Sequence, residues 1–90
     1  MAYRWNESKN QKLQRERDIS FEEIMEAMAE GGLLDVREHP NQKKYRGQKI
    51  FLVWCKNYVY LVPFVEKRDE IFLKTIIPSR EFTRKYGREI

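Results

Sequence analysis

Apolar positions recur with helical spacing at Phe21, Ile24, Met25 and Met28, the i, i+3, i+4, i+7 pattern of a single buried stripe. Ser20 and Glu23 frame its start as an S-x-x-E capping box. Ile19 is placed to staple against Ile24, and Gly31-Gly32 closes the helix. Upstream, residues 7–17 contain no Gly or Pro and follow Asn6, a good N-cap, so they predict a first helix. Leu13 is its only aliphatic residue, which leaves that helix largely exposed.

From Leu33 onward the period changes from helical to strand-like. Leu33–Glu38 predicts a strand, and the polar run His39-Pro40-Asn41-Gln42-Lys43-Lys44 predicts a loop leading through Gly47 into Gln48–Cys55. Residues 50–55 are apolar without interruption, so that strand is central or covered on both faces. Lys56-Asn57 predicts a two-residue hairpin turn, Tyr58–Glu66 the returning strand, and Lys67-Arg68-Asp69 a second turn. Glu70–Ile77 completes the meander, with Ile71, Leu73, Thr75 and Ile77 on one face and Phe72, Lys74 and Ile76 on the other. Pro63 is discordant within a strand and predicts a bulge or an unpaired edge position. Pro78 ends the last strand, Ser79 caps a short helix, and Gly87 closes it. The expected fold is α+β: two N-terminal helices, a four-stranded antiparallel meander sheet and a short C-terminal helix, in one domain over residues 1–90.

Charge changes this picture more than composition does. Apolar residues make up 41% and charged residues 36% of the chain, a balance that supports one modest core under a heavily solvated surface. The net charge of +4 conceals an asymmetry. Residues 21–36 carry Glu22, Glu23, Glu26, Glu30 and Asp35 with no cation, so the rest of the chain is more basic than the total suggests. A basic surface with one acidic helix suits a polyanion approached from one side, although ordinary lysine-rich solubility accounts for the same numbers. A single cysteine, Cys55, excludes an internal disulfide and sits in an apolar run as a small core residue. No apolar stretch reaches the length of a membrane span, and the first residues carry no signal-peptide pattern, so an intracellular, cytoplasmic protein without membrane contact is expected.

The chain has no Gly-rich phosphate loop, no HExxH and no nucleophile elbow, so neither a metal nor an organic cofactor is expected. With His39 as the only histidine, a two-histidine ribonuclease mechanism is excluded. RNA supplies its own nucleophile, however. The 2′-hydroxyl attacks the adjacent phosphorus, and a protein need only align it and stabilise the added negative charge. Arg80 is the candidate for that charge and Lys74 for a point charge or proton donor, with His39 as the remaining titratable group. Arg80 occupies the first turn of the last helix, where a cation opposes the macrodipole at a cost of about 0.3–1 kcal/mol. An anion there would relieve the conflict: a nucleic-acid phosphate, a partner carboxylate, or none if Arg80 is simply solvated. Arg80, Arg84 and Arg88 fall within about 80° of one another on the helix wheel, opposite Phe82 and Tyr86, which face the core. The loop Lys43, Lys44, Tyr45, Arg46 with Lys49 interleaves cations and an aromatic as phosphate contact plus base stacking requires. Tyr45 equally suits cover of the sheet edge. Trp5 and Trp54 read as packing residues.

The register Trp5-x3-Lys9, Ile19-Ser20-Phe21-Glu22-Glu23, and a meander ending in Arg80-x2-Thr83-x2-Tyr86 resembles the BrnT-type toxins, RelE-like ribonucleases of type II toxin–antitoxin operons. The resemblance spans nearly the whole chain on short motifs. It implies a toxin that cleaves RNA and is neutralised by a small antitoxin, often of ribbon-helix-helix type, and it matches the family's strand-end arginine to Arg80. Leu13, Glu16, Arg17 and Asp18 depart from the family's Asn and Lys-His-Gly, and Pro78-Ser79 departs from its Ser-Ala. A non-catalytic module binding nucleic acid or a partner through the same basic surface is the other reading.

Overall fold

Helix α1 (Glu7–Arg17) begins where Asn6 accepts the Lys9 N–H at 2.9 Å and ends at Asp18, which adopts the left-handed conformation with φ of 53°. Helix α2 (Phe21–Ala29) opens with the full capping box: Ser20 N–H donates to Glu23 at 2.9 Å and Glu23 N–H returns a bond to Ser20 Oγ at 3.1 Å. The computed structural model describes residues 2–87. Within them, three helices pack on a mixed sheet of six strands, the α+β class.

The sheet differs from the expected four-stranded meander at one edge and within its last strand. Strand β1 (Ala2–Arg4) pairs parallel to β5 (Glu70–Leu73), and the antiparallel order continues through β4 (Tyr58–Lys67), β3 (Gln48–Cys55) and β2 (Leu33–Glu38). The expected strand 70–77 is divided. Its second half, β6 (Ile77–Ser79), also pairs with β4 and contains Pro78, which was expected to lie beyond the strand end. Between Leu73 and Ile77 three residues oppose only Val62 and Pro63, so one extra residue bulges.

Pro63 explains the location of the bulge. Its carbonyl accepts the Lys74 N–H at 2.7 Å, so its backbone polar side faces β5 and β6, where a proline has no N–H to offer. The β3–β4 ladder on its other side runs unbroken from Gln48–Val65 to Cys55–Tyr58. The extra residue also reverses the expected faces, since sheet periodicity is two. Ile71, Leu73 and Ile76 are buried, while Lys74 and Ile77 are exposed, so Lys74 and Ile76 do not share a face.

Helices α1 and α2 cover one sheet face. Leu13, Ile19, Phe21 and Ile24 meet Phe51, Val53, Val62, Phe64, Leu73 and Ile76, with Phe51 stacked on Phe64 at 3.9 Å between ring centroids. Trp5 stacks on Phe21 at 5.5 Å and Cys55 is buried in the same cluster. Asn10 is fully buried and ties the two helices together. It accepts the Phe21 N–H at 2.8 Å and donates to Glu22 at 2.6 Å and Glu7 at 3.3 Å. Helix α3 (Arg80–Gly87) crosses the opposite face over Leu52 and Val59, both buried, and Trp54, half-buried, packs beside Gly87 rather than in the main core. The long apolar run of β3 is thus covered on both faces only where α3 lies.

Lys56 and Asn57 both take positive φ, 53° and 61°, the conformation of a type I′ hairpin turn. Gly32 is required by contact, not by torsion: a Cβ there would stand 2.5 Å from the Trp54 carbonyl oxygen and 2.8 Å from that of Ala27.

Candidate nucleic-acid interface

The bulge and the start of α3 form one end of the site. Ser79 Oγ accepts the Phe82 N–H at 3.2 Å, as an N-cap should. Thr83 Oγ1 donates to the Ser79 carbonyl at 2.6 Å and accepts the Val59 N–H at 2.8 Å, which pins the helix start to β4. Arg80 is exposed in that first turn, and Arg84 follows one turn on, also exposed, while Phe82 and Tyr86 are turned toward the sheet. Lys74 extends outward from the bulge with its ammonium 5.4 Å from the Phe72 ring centroid. From the end of α1, Arg17 Nη1 donates to the Ile76 carbonyl at 2.5 Å. Three cations therefore stand along residues 74–80. Arg88, expected to extend the stripe of Arg80 and Arg84, lies outside the described residues.

Lys74 and Arg80 are not in contact. Lys74 bonds to Pro63 while Ser79 pairs with Val59, four positions away along β4, or about 13 Å of strand. The two long side chains meet on one phosphorus only by reaching toward each other across the segment that Arg17 secures.

The β2–β3 loop forms the other end. His39 N–H donates to the Gln48 carbonyl at 3.0 Å, and its Nδ1 accepts the Asn41 N–H at 3.0 Å, which leaves the proton of the neutral ring on Nε2. Gln42 holds the loop closed by donating to the His39 and Gln48 carbonyls and accepting from Gly47 N–H. Tyr45 lies against His39 at 4.3 Å between centroids, and Lys44 stands 5.3 Å from the Tyr45 ring. Lys43, Arg46 and Lys49 are exposed around this stack. His39 is level with Val65 of β4, six residues from Val59, so about 20 Å of strand separates it from the α3 start. Strands β3 and β4 stand between His39 and Lys74, which is bonded to Pro63, so His39 belongs with the loop cations instead.

Between the two ends lies the part of the sheet that α3 leaves open. Ile50, Leu61, Val65 and Phe72 are half-buried there and Ile77 is exposed. Arg37 borders this face, with its guanidinium 4.8 Å over the Phe82 ring and a 3.4 Å contact from Nη2 to the Tyr86 hydroxyl. Asp35 binds Arg37 Nε at 2.9 Å, and the guanidinium, helped by the Val36 N–H, holds the carboxyl below its ordinary range. Asp35, followed by the Tyr86 hydroxyl, in turn pushes the Arg37 pKa up.

Beside α2 the sign reverses. Glu23, Glu26 and Glu30 line an open cleft of about 440 Å³ with Trp54, Lys56 and Gly32, and Lys56 bonds to Glu23 at 2.6 Å. A polyanion is repelled at this cleft.

Sequence reasoning named Lys74, Arg80, Arg84 and the loop cations as candidates, and it missed the contacts of Arg17 and Arg37. Both are made by residues far apart in the chain, and only the alternation of Asp35 with Arg37 on one strand face hinted at a pair. Among the described residues, no group of three or more His, Cys, Asp or Glu side chains is placed to hold a metal, and no helix is long and apolar enough to cross a membrane. Comparison with protein-family models, curated proteins and solved structures returns no match.

Proposed function

We propose that the chain is a metal-independent ribonuclease that acts in the cytoplasm as a toxin and is held inactive by a small cognate antitoxin of the ribbon-helix-helix type. The observation that carries this reading is the placement of Arg17, Lys74 and Arg80 along the bulge and the helix start. A single RNA strand lies across the open sheet face in this reading, with its far part on Lys43, Lys44, Tyr45, Arg46 and Lys49. The 2′-oxygen forms a bond to phosphorus while the bond to the 5′-oxygen breaks, giving a 2′,3′-cyclic phosphate and a 5′-hydroxyl. The 2′-hydroxyl proton leaves to solvent, the Lys74 ammonium protonates the departing 5′-oxygen, and Arg80 binds the extra charge on the phosphoryl oxygens.

The test is cleavage of a defined single-stranded RNA by the purified chain. Arg80→Ala is expected to lower the rate by about 10²–10³ while leaving the circular dichroism spectrum and melting temperature unchanged. Intact RNA with the wild-type chain, together with normal growth when it is expressed, overturns the proposal. The open apolar face of Ile50, Leu61, Val65, Phe72 and Ile77 favours a second reading, a non-catalytic module that binds nucleic acid or a protein partner. In that case each cation removed weakens binding by a graded, salt-dependent step and no RNA is cut.

A further inference from the structure

Two of the three exposed large apolar side chains among the described residues, Leu33 at 40% and Val36 at 46%, lie on one strand, β2. Among the described residues that strand is an edge of the sheet, with β3 on one side only. The hydrogen bond from His39 to Gln48 fixes which backbone groups are used. Pairs alternate along an antiparallel ladder, so residues 35, 37 and 39 face β3, and residues 36 and 38 direct their N–H and C=O groups outward; the register shift between Leu33 and Asp35 ends the alternation there. The Val36 N–H agrees with this assignment: it donates at 2.8 Å to the Asp35 carboxylate instead of to β3.

We propose that the β2 edge pairs with the β2 edge of a second copy of this chain, antiparallel and centred on Val36. The register follows from charge. Only outward residues can pair with outward residues, which restricts the alignments to shifts of two. Centring the pair on Asp35 or on Arg37 sets like charges directly opposite, an unfavourable arrangement in a sheet. Centring it on Val36 sets Asp35 of each copy opposite Arg37 of the other, twice over, on the face where both side chains already lie. Val36 then meets Val36 on the helix-covered face. Each Asp35 carboxylate gives up the Val36 N–H to the partner's backbone and bridges its own Arg37 and the partner's. The interface is self-complementary, as a two-fold contact must be, and it joins the two sheets into one. It does not depend on the ribonuclease reading.

Sedimentation velocity over a wide concentration range tests this with the intact chain. The wild type is expected to show a concentration-dependent dimer, and Val36→Lys, which sets two ammonium groups together at the axis, is expected to remain monomeric with an unchanged far-ultraviolet spectrum. Arg37→Asp alone is expected to weaken association by about tenfold, since both cross-strand pairs turn from attraction to repulsion. The double swap Asp35→Arg with Arg37→Asp restores it, and this rescue stands even if Val36→Lys fails to fold. A wild type that stays monomeric throughout, a dimer indifferent to Val36→Lys, or a charge swap that does not rescue overturns the proposal.

Discussion

Replacement of Asn10 by Ala is the most direct test of how the two N-terminal helices are joined. Asn10 is 0% exposed, and its side-chain oxygen is the acceptor for the Phe21 N–H, one of the donors that a helix start leaves without an intrahelical partner. Alanine removes that acceptor in a space water does not reach, since Phe21 is also fully buried. An orphaned buried N–H costs about 1–3 kcal/mol. The lost bonds to Glu22 and Glu7 add less, because the exposed carboxylates can turn to water. Together the cost is about 3 kcal/mol, a large part of the 5–15 kcal/mol typical of a folded domain. That corresponds to a melting temperature lower by about 12–24 °C in a chain of this size. Urea denaturation followed by circular dichroism measures it directly. Glu22→Gln keeps an acceptor near Asn10 and should cost well under 1 kcal/mol. An Asn10→Ala variant within 1 kcal/mol of the wild type would refute the assignment of Asn10 as the clamp. Asn10→Asp adds a sign test. A buried carboxylate between Glu7 and Glu22 has a raised pKa, so this variant should regain stability as the pH falls, opposite to an ordinary paired acid.

Burial acts to raise the Glu23 pKa, but hydrogen bonds from Lys56 and Ser20 outweigh it and hold the group below its ordinary value of 4.5. Its contribution is therefore complete above that value and is lost as the pH falls further, so Glu23→Gln should flatten the acid limb of a stability-versus-pH curve. A limb of unchanged slope would count against the pair. Gly32→Ala forces a Cβ against two backbone oxygens and should destabilise by about 1–3 kcal/mol, read from the urea midpoint, whereas a change of a few tenths would show that the α2–β3 approach can relax. Arg17→Ala removes the donor to the Ile76 carbonyl and should cost about 1 kcal/mol in the same assay, with faster amide hydrogen exchange confined to residues 74–79. Uniform exchange across the sheet would place the role of Arg17 elsewhere.

Local signals carried far in the sequence and long-range ones did not. The capping box of Ser20 and Glu23 and the turn at Lys56-Asn57 are legible because the residues that define them are neighbours. Strand β1 is only Ala-Tyr-Arg, and its parallel pairing with β5 joins positions more than sixty residues apart, so no spacing in the chain announces it. Pro63 did signal an irregularity. Its consequence was misread because the faces of residues 71–77 were assigned on an unbroken two-residue period, which placed Ile77 with Leu73 and left Ile76 outside. At the candidate site, Lys74 and Arg80 could be named as candidates from the sequence, but their separation could not be read from it. The distance between them depends on which residues of β4 each half-strand meets. Asp18 ends α1 with positive φ. Asp and Asn tolerate that conformation better than other non-glycine residues.

The extra residue between β5 and β6 lets the chain change phase without changing partners. Thr75 can be exchanged for many side chains without changing which way its neighbours point. Deleting it would restore a continuous ladder in which Ile76 still faces inward opposite Val62 and Ile77 still faces outward opposite Leu61. Ser79 would keep its place beside Val59, and with it the Thr83–Val59 bond that fixes α3. The bulge is removable slack: a library of variants at residues 74–76 should accept substitutions and the loss of one residue, with Arg80 presented from the same place.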